Sequence, residues 1–356
     1  MDLEAKPFLS GHEEIVHDVK YDFYGKHIAT ASSDQHIKVF ELENTSGAWV
    51  LNDLWKAHEY LVVRLSWAHP EFTSSKILAS CSFDRTVKIW QEQVDELYGS
   101  GRRWLKLATL AIESHGPIYD VVFAPHHLGL KLGCIGLDGI VRIYESVDPA
   151  DLTNWALTSE IPILSRRVPA KSLQSSFAVE WCPSKFARTE KFIVVALDQG
   201  FVYGTVSSLQ KGQANDPDQI QHTDSIAKSN DKYVKICSLP DHNGLIRSVS
   251  WAPTMGRSYH LIATGCKDGY VRIFKASESA TGDLKFETLA KLADHKLEVW
   301  KVSWNSTGTI LSSAGDDGEI RLWKSNYLNE WKCMSVINTH RKGGQKTVQE
   351  ENECKT

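Results

Sequence analysis

The chain of 356 residues is 42% hydrophobic and 24% charged, enough apolar side chain for a sizeable core and too much for global disorder. With 40 Lys and Arg against 44 Asp and Glu, the net charge of −4 argues against the basic surface that nucleic-acid phosphates require. No apolar run nears the roughly 18 residues of a membrane-spanning helix, residues 1–10 lack the apolar stretch of a secretory signal, and the length suits two ordinary domains or a repeat fold.

Taken in order, the elements repeat. The first unit, about 11–56, has Gly11-His12, a strand closing on Tyr21, a second ending at Thr30, then Asp34 and the alternating stretch DQHIKVF to Phe40. Its outer strand runs around Trp49 to Leu54. The second, about 57–113, repeats the series with His58, Trp67, Ser80, Asp84 and Trp90, and an outer strand from Trp104 to Leu110. The third, about 114–165, offers His115, Phe123, Cys134, Asp138 and Tyr144, with an outer strand over Trp155 to Leu164. The fourth, about 170–240, is degenerate: Trp181-Cys182-Pro183 and Asp198 fit the frame, the His is missing, and Gly204 falls where the late aromatic is expected. Its outer strand covers Tyr233 to Leu239. The fifth, about 241–293, has His242, Trp251, Thr264, Asp268 and Phe274, closing on Lys285 to Leu292. The sixth, about 294–337, has His295, Trp304, Ser313, Asp317 and Trp323, closing on Trp331 to Ile337.

Aliphatics three and five residues after each well-formed Asp, with Lys or Arg between them, mark strands with one buried face entered through a polar turn. Units of about 40 to 45 residues are the period of a four-stranded propeller blade. Residues 205–232 and 276–284 are polar and low in aromatics, reading as flexible insertions. The polar segment 341–356 reads as a disordered tail, which makes 1–340 one domain. Seven cysteines without a CxxC pair fit free thiols in a reducing compartment.

The recurring GH, SxD and KIW or RLW elements resemble the WD40 repeat. The fold expected is therefore all-β, a six-bladed WD40 β-propeller. The resemblance implies buried hydrogen-bonded chains built from His12, Thr30 and Asp34, from His58, Ser80, Asp84 and Trp90, and from His115 with Asp138. Two more would use His242, Thr264 and Asp268, and His295, Ser313, Asp317 and Trp323. A Ser-His-Asp hydrolase needs one such set beside an oxyanion hole, so repetition at the same place in every unit points to structure and not to an enzyme. No Gly-rich phosphate loop opens a helix, and His126-His127 has no carboxylate or Cys at ligand spacing, so neither cofactor nor metal is expected.

Each unit holds its own four strands, and no N-terminal segment serves to complete the last blade. The ring is therefore expected to close as a plain circle or to stay open between the first and last blades. Segments such as GRRW (101–104), HLGLKLGCIGLDG (127–139), WCPSKF (181–186), LIRSVSWAP (245–253) and EVWKVSWNSTGTILSSAGDDG (298–318) resemble the Seh-type nucleoporins of budding yeasts. That resemblance implies an open propeller whose gap receives an insertion blade from an α-helical scaffold nucleoporin in the Y-shaped nuclear pore subcomplex. It also implies other subunits of that subcomplex as partners, and membership of the vacuole-associated SEA complex, which regulates TORC signalling. Location would be the nuclear pore and the vacuolar membrane surface, without direct nucleic-acid binding or membrane insertion. Candidate contact residues are Val16, Val19, Ile28, Ile37 and Val39 on one side, and Val299, Val302, Ile310, Ile320 and Leu322 on the other. The competing expectation, a closed WD40 adaptor reading peptides on its top face, needs an aromatic and basic cluster around the channel, and the loops offer none.

Overall fold

The computed structural model describes residues 9–148, 151–164, 175–185, 187, 189–205, 232–279 and 284–338. Almost all of the 205–232 insertion, part of 276–284 and the 341–356 tail lie outside these residues. Six antiparallel sheets of four strands each follow one another along the chain, every sheet in sequence order from its innermost strand outward. Blade 1 holds β1 (Val16–Tyr21), β2 (His27–Ser32), β3 (His36–Leu42) and β4 (Trp49–Lys56). Blade 2 holds β5 (Val62–Trp67), β6 (Ile77–Ser82), β7 (Val87–Glu92) and β8 (Trp104–Leu110). Blade 3 holds β9 (Ile118–Phe123), β10 (Lys131–Gly136), β11 (Ile140–Asp148) and β12 (Asp151–Pro162). Blade 4 holds β13 (Phe177–Trp181), β14 (Lys191–Ala196), β15 (Gln199–Thr205) and β16 (Tyr233–Ser238). Blade 5 holds β17 (Ile246–Trp251), β18 (Tyr259–Cys266), β19 (Val271–Glu278) and β20 (Leu284–Leu292). Blade 6 holds β21 (Val299–Trp304), β22 (Ile310–Gly315), β23 (Glu319–Ser325) and β24 (Trp331–Asn338).

The Asp of each well-formed repeat makes the turn between the second and third strands. Its Oδ1 accepts from the amide two residues on, at 2.9 Å for both Asp34 and Asp84. The intervening Gln35, Arg85, Gly139, Gly269 and Gly318 all have positive φ. Blade 4 turns differently. Ala196 pairs directly with Gln199, so Leu197 and exposed Asp198 form a two-residue hairpin loop, one residue shorter than elsewhere. The register consequently shifts by one. Phe192 pairs with Tyr203, as Leu78 pairs with Trp90 and Ile262 with Phe274. Tyr203, and not Gly204, is therefore the late aromatic of this blade; counting forward from Asp198 misplaces it.

Strand alternation gives each blade two apolar faces, and these meet at the junctions. Ile37 and Val39 of blade 1 pack with Val62, Leu65 and Leu78 of blade 2. Comparable clusters join blade 2 to 3, 3 to 4, 4 to 5 and 5 to 6. Burying one such aliphatic contributes about 1.5–3 kcal/mol. Inner strands pack in the series β1, β5, β9, β13, β17, β21, and no contact of comparable extent joins β21 back to β1 among the described residues. The thiols of Cys81, Cys134, Cys182 and Cys266 are buried and unbridged, and Cys333 is exposed.

Candidate partner-binding face

The polar chains come first, because they decide whether the Ser/Thr, His and Asp sets are chemistry or scaffolding. In blade 2, His58 Nδ1–H donates to Asp84 Oδ2 at 2.8 Å and Ser80 Oγ–H donates to His58 Nε2 at 2.8 Å. Trp90 Nε1–H completes the chain by donating to Ser80 Oγ at 2.9 Å. Blade 6 has the same set, with His295 at 2.9 Å from Asp317 and 2.7 Å from Ser313, and Trp323 at 2.8 Å from Ser313. Blade 1 joins His12 to Asp34 at 2.7 Å and to Thr30 at 2.8 Å, and Phe40 has no N–H to extend the chain. Burial pushes the His12, His58 and His295 imidazoles below their ordinary 6.5, partly offset by the Asp partners, which keeps them neutral as this pattern of donors requires.

Two of the expected sets do not assemble. His115 is exposed and turns to the Glu113 carbonyl at 2.8 Å, while Arg142 takes Asp138 at 2.7 Å. The reason lies in the partner: Cys134 stands where a Ser or Thr hydroxyl would donate to the imidazole, and a thiol is a weak hydrogen-bonding group. His242 keeps Thr264 at 2.9 Å but not Asp268, whose carboxylate is gripped by both terminal nitrogens of Arg272. Its Nδ1 is buried and finds no side-chain partner among the described residues, and burial with the nearby Arg272 charge pushes the ring down to about 4. A guanidinium four residues after the Asp does not by itself exclude the His, since Arg321 reaches Asp317 at 2.6 Å while His295 stays; in blade 5 both terminal nitrogens of Arg272 occupy the carboxylate and the imidazole is left out.

Repeat equivalence then identifies the unpartnered face. Leu65, Val121, Val179, Val249 and Val302 occupy one position of successive inner strands, and each is buried against the preceding blade. Their counterpart in blade 1, Val19, is 49% exposed. Val16 behaves likewise: it is half-buried, while Val62, Ile118, Ile246 and Val299 are fully buried. At the other end, Ile320 and Leu322 are half-exposed where Ile37 and Val39, Val87 and Ile89, and Val271 and Ile273 are completely buried against the following blade. Ile310 is half-exposed where Ile77 and Leu261 are buried.

Five of the ten sequence-derived contact candidates thus lie on faces without a neighbouring blade. Of the other five, four lie on packed faces and one is on an open face but covered. Ile37 and Val39 are packed on blade 2, and Val299 and Val302 on blade 5, because alternation sends them to the opposite face. Ile28 shares the open side of blade 1 but is covered, only 1% exposed. The sequence reading missed Tyr21 (59% exposed) at the end of β1, Leu51 opposite Phe40 on β4, and Met334 (57%) and Ile337 on β24. Ile337 pairs with Ile320 across the strands, so the two share a face. Register, which reveals it, is fixed only once the outer strand is placed.

Near the axis the two ends of the ring are linked by charge. Asp18 Oδ1 lies 3.8 Å from Lys301 Nζ and 3.7 Å from Arg64, and its other oxygen accepts the Leu65 amide at 3.1 Å. Burial alone would raise the Asp18 carboxyl, but Lys20, Lys301, Arg64 and that amide hold it below the usual range. Burial pushes Lys301 down to about 8, with Arg64 and Lys20 adding repulsion, and raises Glu180 to about 7.

The WD40 family (WD domain, G-beta repeat) matches residues 4–41, 54–91, 233–275 and 286–324. The unmatched stretch between 91 and 233 holds blade 3, with its exposed His115, and most of blade 4, with its shortened turn. Nucleoporin SEH1 of Saccharomyces cerevisiae is 47% identical, over 93% of this chain and 99% of its own length. Nucleoporin seh1 of Schizosaccharomyces pombe is 36% identical over 96% of this chain and 98% of its own length, and human Nucleoporin SEH1 is 38% identical over 94% and 88%. The His, Ser or Thr and Asp sets recur at the same place in blades 1, 2 and 6, which makes them contacts of the repeat. With this similarity spanning nearly the entire chain, the protein belongs to the SEH1 family of WD40-repeat nucleoporins.

Proposed function

We propose that this chain is a non-enzymatic scaffold subunit of the nuclear pore complex. In this reading an α-helical nucleoporin of the Y-shaped subcomplex lays an insertion blade between blades 6 and 1. The relatives named nucleoporins support the location. The observation that carries the mechanism is the exposure of Val19, Ile320 and Leu322 at positions that every complete junction buries. Strands added there bury these side chains and pair backbone, the β-augmentation mode of recognition. A half-exposed aliphatic brought to full burial adds about 1 kcal/mol, so a few of them suffice for a stable joint. The same face serves membership of the SEA complex at the vacuolar membrane surface and, through it, TORC signalling. At the pore, the subunit supports assembly and the transport of mRNA and protein.

The test introduces Val19→Asp, Ile320→Asp and Leu322→Asp together and measures stoichiometric co-purification from nuclear-envelope and vacuolar fractions. Leu97→Asp, at an exposed leucine distant from both open faces in sequence, is the control. Loss of the helical partner from the triple variant alone is the expected outcome. Full retention in both fractions sinks the insertion-blade mechanism.

A further inference from the structure

Side chains two apart on each inner strand face the axis, and at every complete junction one of them accepts a backbone amide of the next blade. Asp18 takes the Leu65 amide at 3.1 Å, Ser66 that of Phe123 at 2.9 Å, Asp120 that of Val179 at 3.0 Å, and Ser248 that of Val302 at 3.3 Å. Between blades 4 and 5, Glu180 is hydrogen-bonded by the Trp251 amide. These amides lie on the free edge of an innermost strand, so each clip satisfies a donor that the sheet itself cannot. Blade 6 breaks the series. Its axial positions hold Ser303 and, in the place of Asp18, Asp120 and Ser248, Lys301. An ammonium has no lone pair to offer an amide. The donor on the far side of this junction is the Val19 amide, in register with Thr30 as Leu65 is with Ser80.

Charge singles out what completes it. Lys20 of blade 1 and Lys301 of blade 6 flank the open junction at the axis, close enough to repel, and both line a channel cavity of about 130 Å³ with Arg64, Asp120 and Glu180. Lys301 stands 3.8 Å from Asp18, beyond hydrogen-bond range, and that carboxylate is already shared with Arg64 at 3.7 Å and with the Leu65 amide. Glu180, pushed up to about 7 chiefly by burial, is about half ionised at neutral pH, so the carboxylates of the channel do not balance its three cations. The axis is thus short of negative charge beside Lys301, at the same place where blade 6 lacks an acceptor for the next strand.

We propose that the partner strand completing the ring brings an aspartate or glutamate to the axis, where its carboxylate accepts the Val19 amide and pairs with Lys301 and Lys20. This pairing presupposes the insertion blade and specifies the chemistry of its innermost strand. In the test, the tagged full chain captures the helical partner, and the dissociation rate of the complex is followed. Lys20→Met with Lys301→Met should raise that rate at least about tenfold, as expected when a buried charge pair loses one side. Lys20→Arg with Lys301→Arg keeps both charges and should retain most of the binding. Across the partner's inserted strands, Asp→Asn and Glu→Gln changes should include one position that reproduces the loss and adds nothing further in the Lys20→Met/Lys301→Met background. That arm leaves this chain intact, so its result is independent of any misfolding of the methionine variant. Retention of the partner by the Val19→Asp, Ile320→Asp and Leu322→Asp triple variant overturns the insertion blade and this pairing with it. Release by the triple variant, with no partner carboxylate coupled to the two lysines, overturns the pairing alone, as does capture of a second copy of this chain in the partner's place.

Discussion

Replacing Asp84 tests the polar chain of blade 2 at its most connected member. Its Oδ2 accepts from His58 Nδ1 at 2.8 Å and from the Glu59 amide at 3.3 Å, and its Oδ1 accepts from the Thr86 amide at 2.9 Å and the Thr86 hydroxyl at 2.6 Å. In Asp84→Ala the His58 ring, 1% exposed, keeps Ser80 but loses its acceptor. An orphaned buried donor costs about 1–3 kcal/mol, and the lost turn contacts add about 1 kcal/mol. The expected destabilisation is therefore about 2–4 kcal/mol. Asp198→Ala removes an exposed carboxylate from a hairpin loop and should fall within about 0.5 kcal/mol of the parent. Urea unfolding followed by tryptophan fluorescence and by circular dichroism measures both, with coincident curves required before free energies are compared. His58→Ala combined with Asp84→Ala should cost less than the sum of the single changes, because the two share one contact. Equal losses for Asp84→Ala and Asp198→Ala, or strict additivity of the pair, would refute the account of the polar chain.

Stability should fall with acid. His12, His58, His242 and His295 titrate below 6.5 in the folded chain, chiefly through burial, so unfolding takes up protons below about pH 6.5 and is favoured as pH drops. For His242, pushed down to about 4, the loss between these pH values is about 3 kcal/mol; a flat urea midpoint from pH 7 to 4.5 contradicts this. Asp34, Asp84, Asp268 and Asp317 are held below the usual carboxylate range by their hydrogen bonds despite burial, and add a further loss below about pH 4. His115→Ala should leave the melting temperature unchanged, whereas His295→Ala, which removes the buried imidazole linking Asp317 to Ser313, should lower it clearly in the same scan. Gly308→Ala should destabilise by about 1–3 kcal/mol by chemical denaturation. Its φ is +62°, and a Cβ there would stand 2.5 Å from the Pro253 carbonyl oxygen, in the blade 5 loop that Arg257 ties to it.

The strand plan was legible because each blade repeats one alternation. The outer strand expected over Trp104 to Leu110 is β8, and those near Trp49, Tyr233 and Trp331 begin at those residues. What escaped was set by competition or by the third dimension. Arg272 and Arg142 sit at the Lys or Arg position of the repeat, and nothing local says that they, and not a histidine, will hold the Asp. The one-residue deletion in the blade 4 turn is invisible when spacing is counted from an Asp that has lost its role. The gap face was half legible: the sequence gives the alternation but not which phase points to which neighbour.

Among the described residues blades 6 and 1 share the Asp18–Lys301 contact but no apolar junction, and this changes the cooperativity of the whole molecule. A closed circle has no ends, and each blade is stabilised from two sides. This ring is topologically a linear array whose stability follows nearest-neighbour contacts, with blades 1 and 6 as uncapped termini. Opening fluctuations should start at both ends and travel inward, so amide exchange should be fastest in β1 and in β21–β24 and slowest in blades 3 and 4. A strand-donating partner would join the two ends at once, turning the array into a circle and slowing exchange even in blades it never touches.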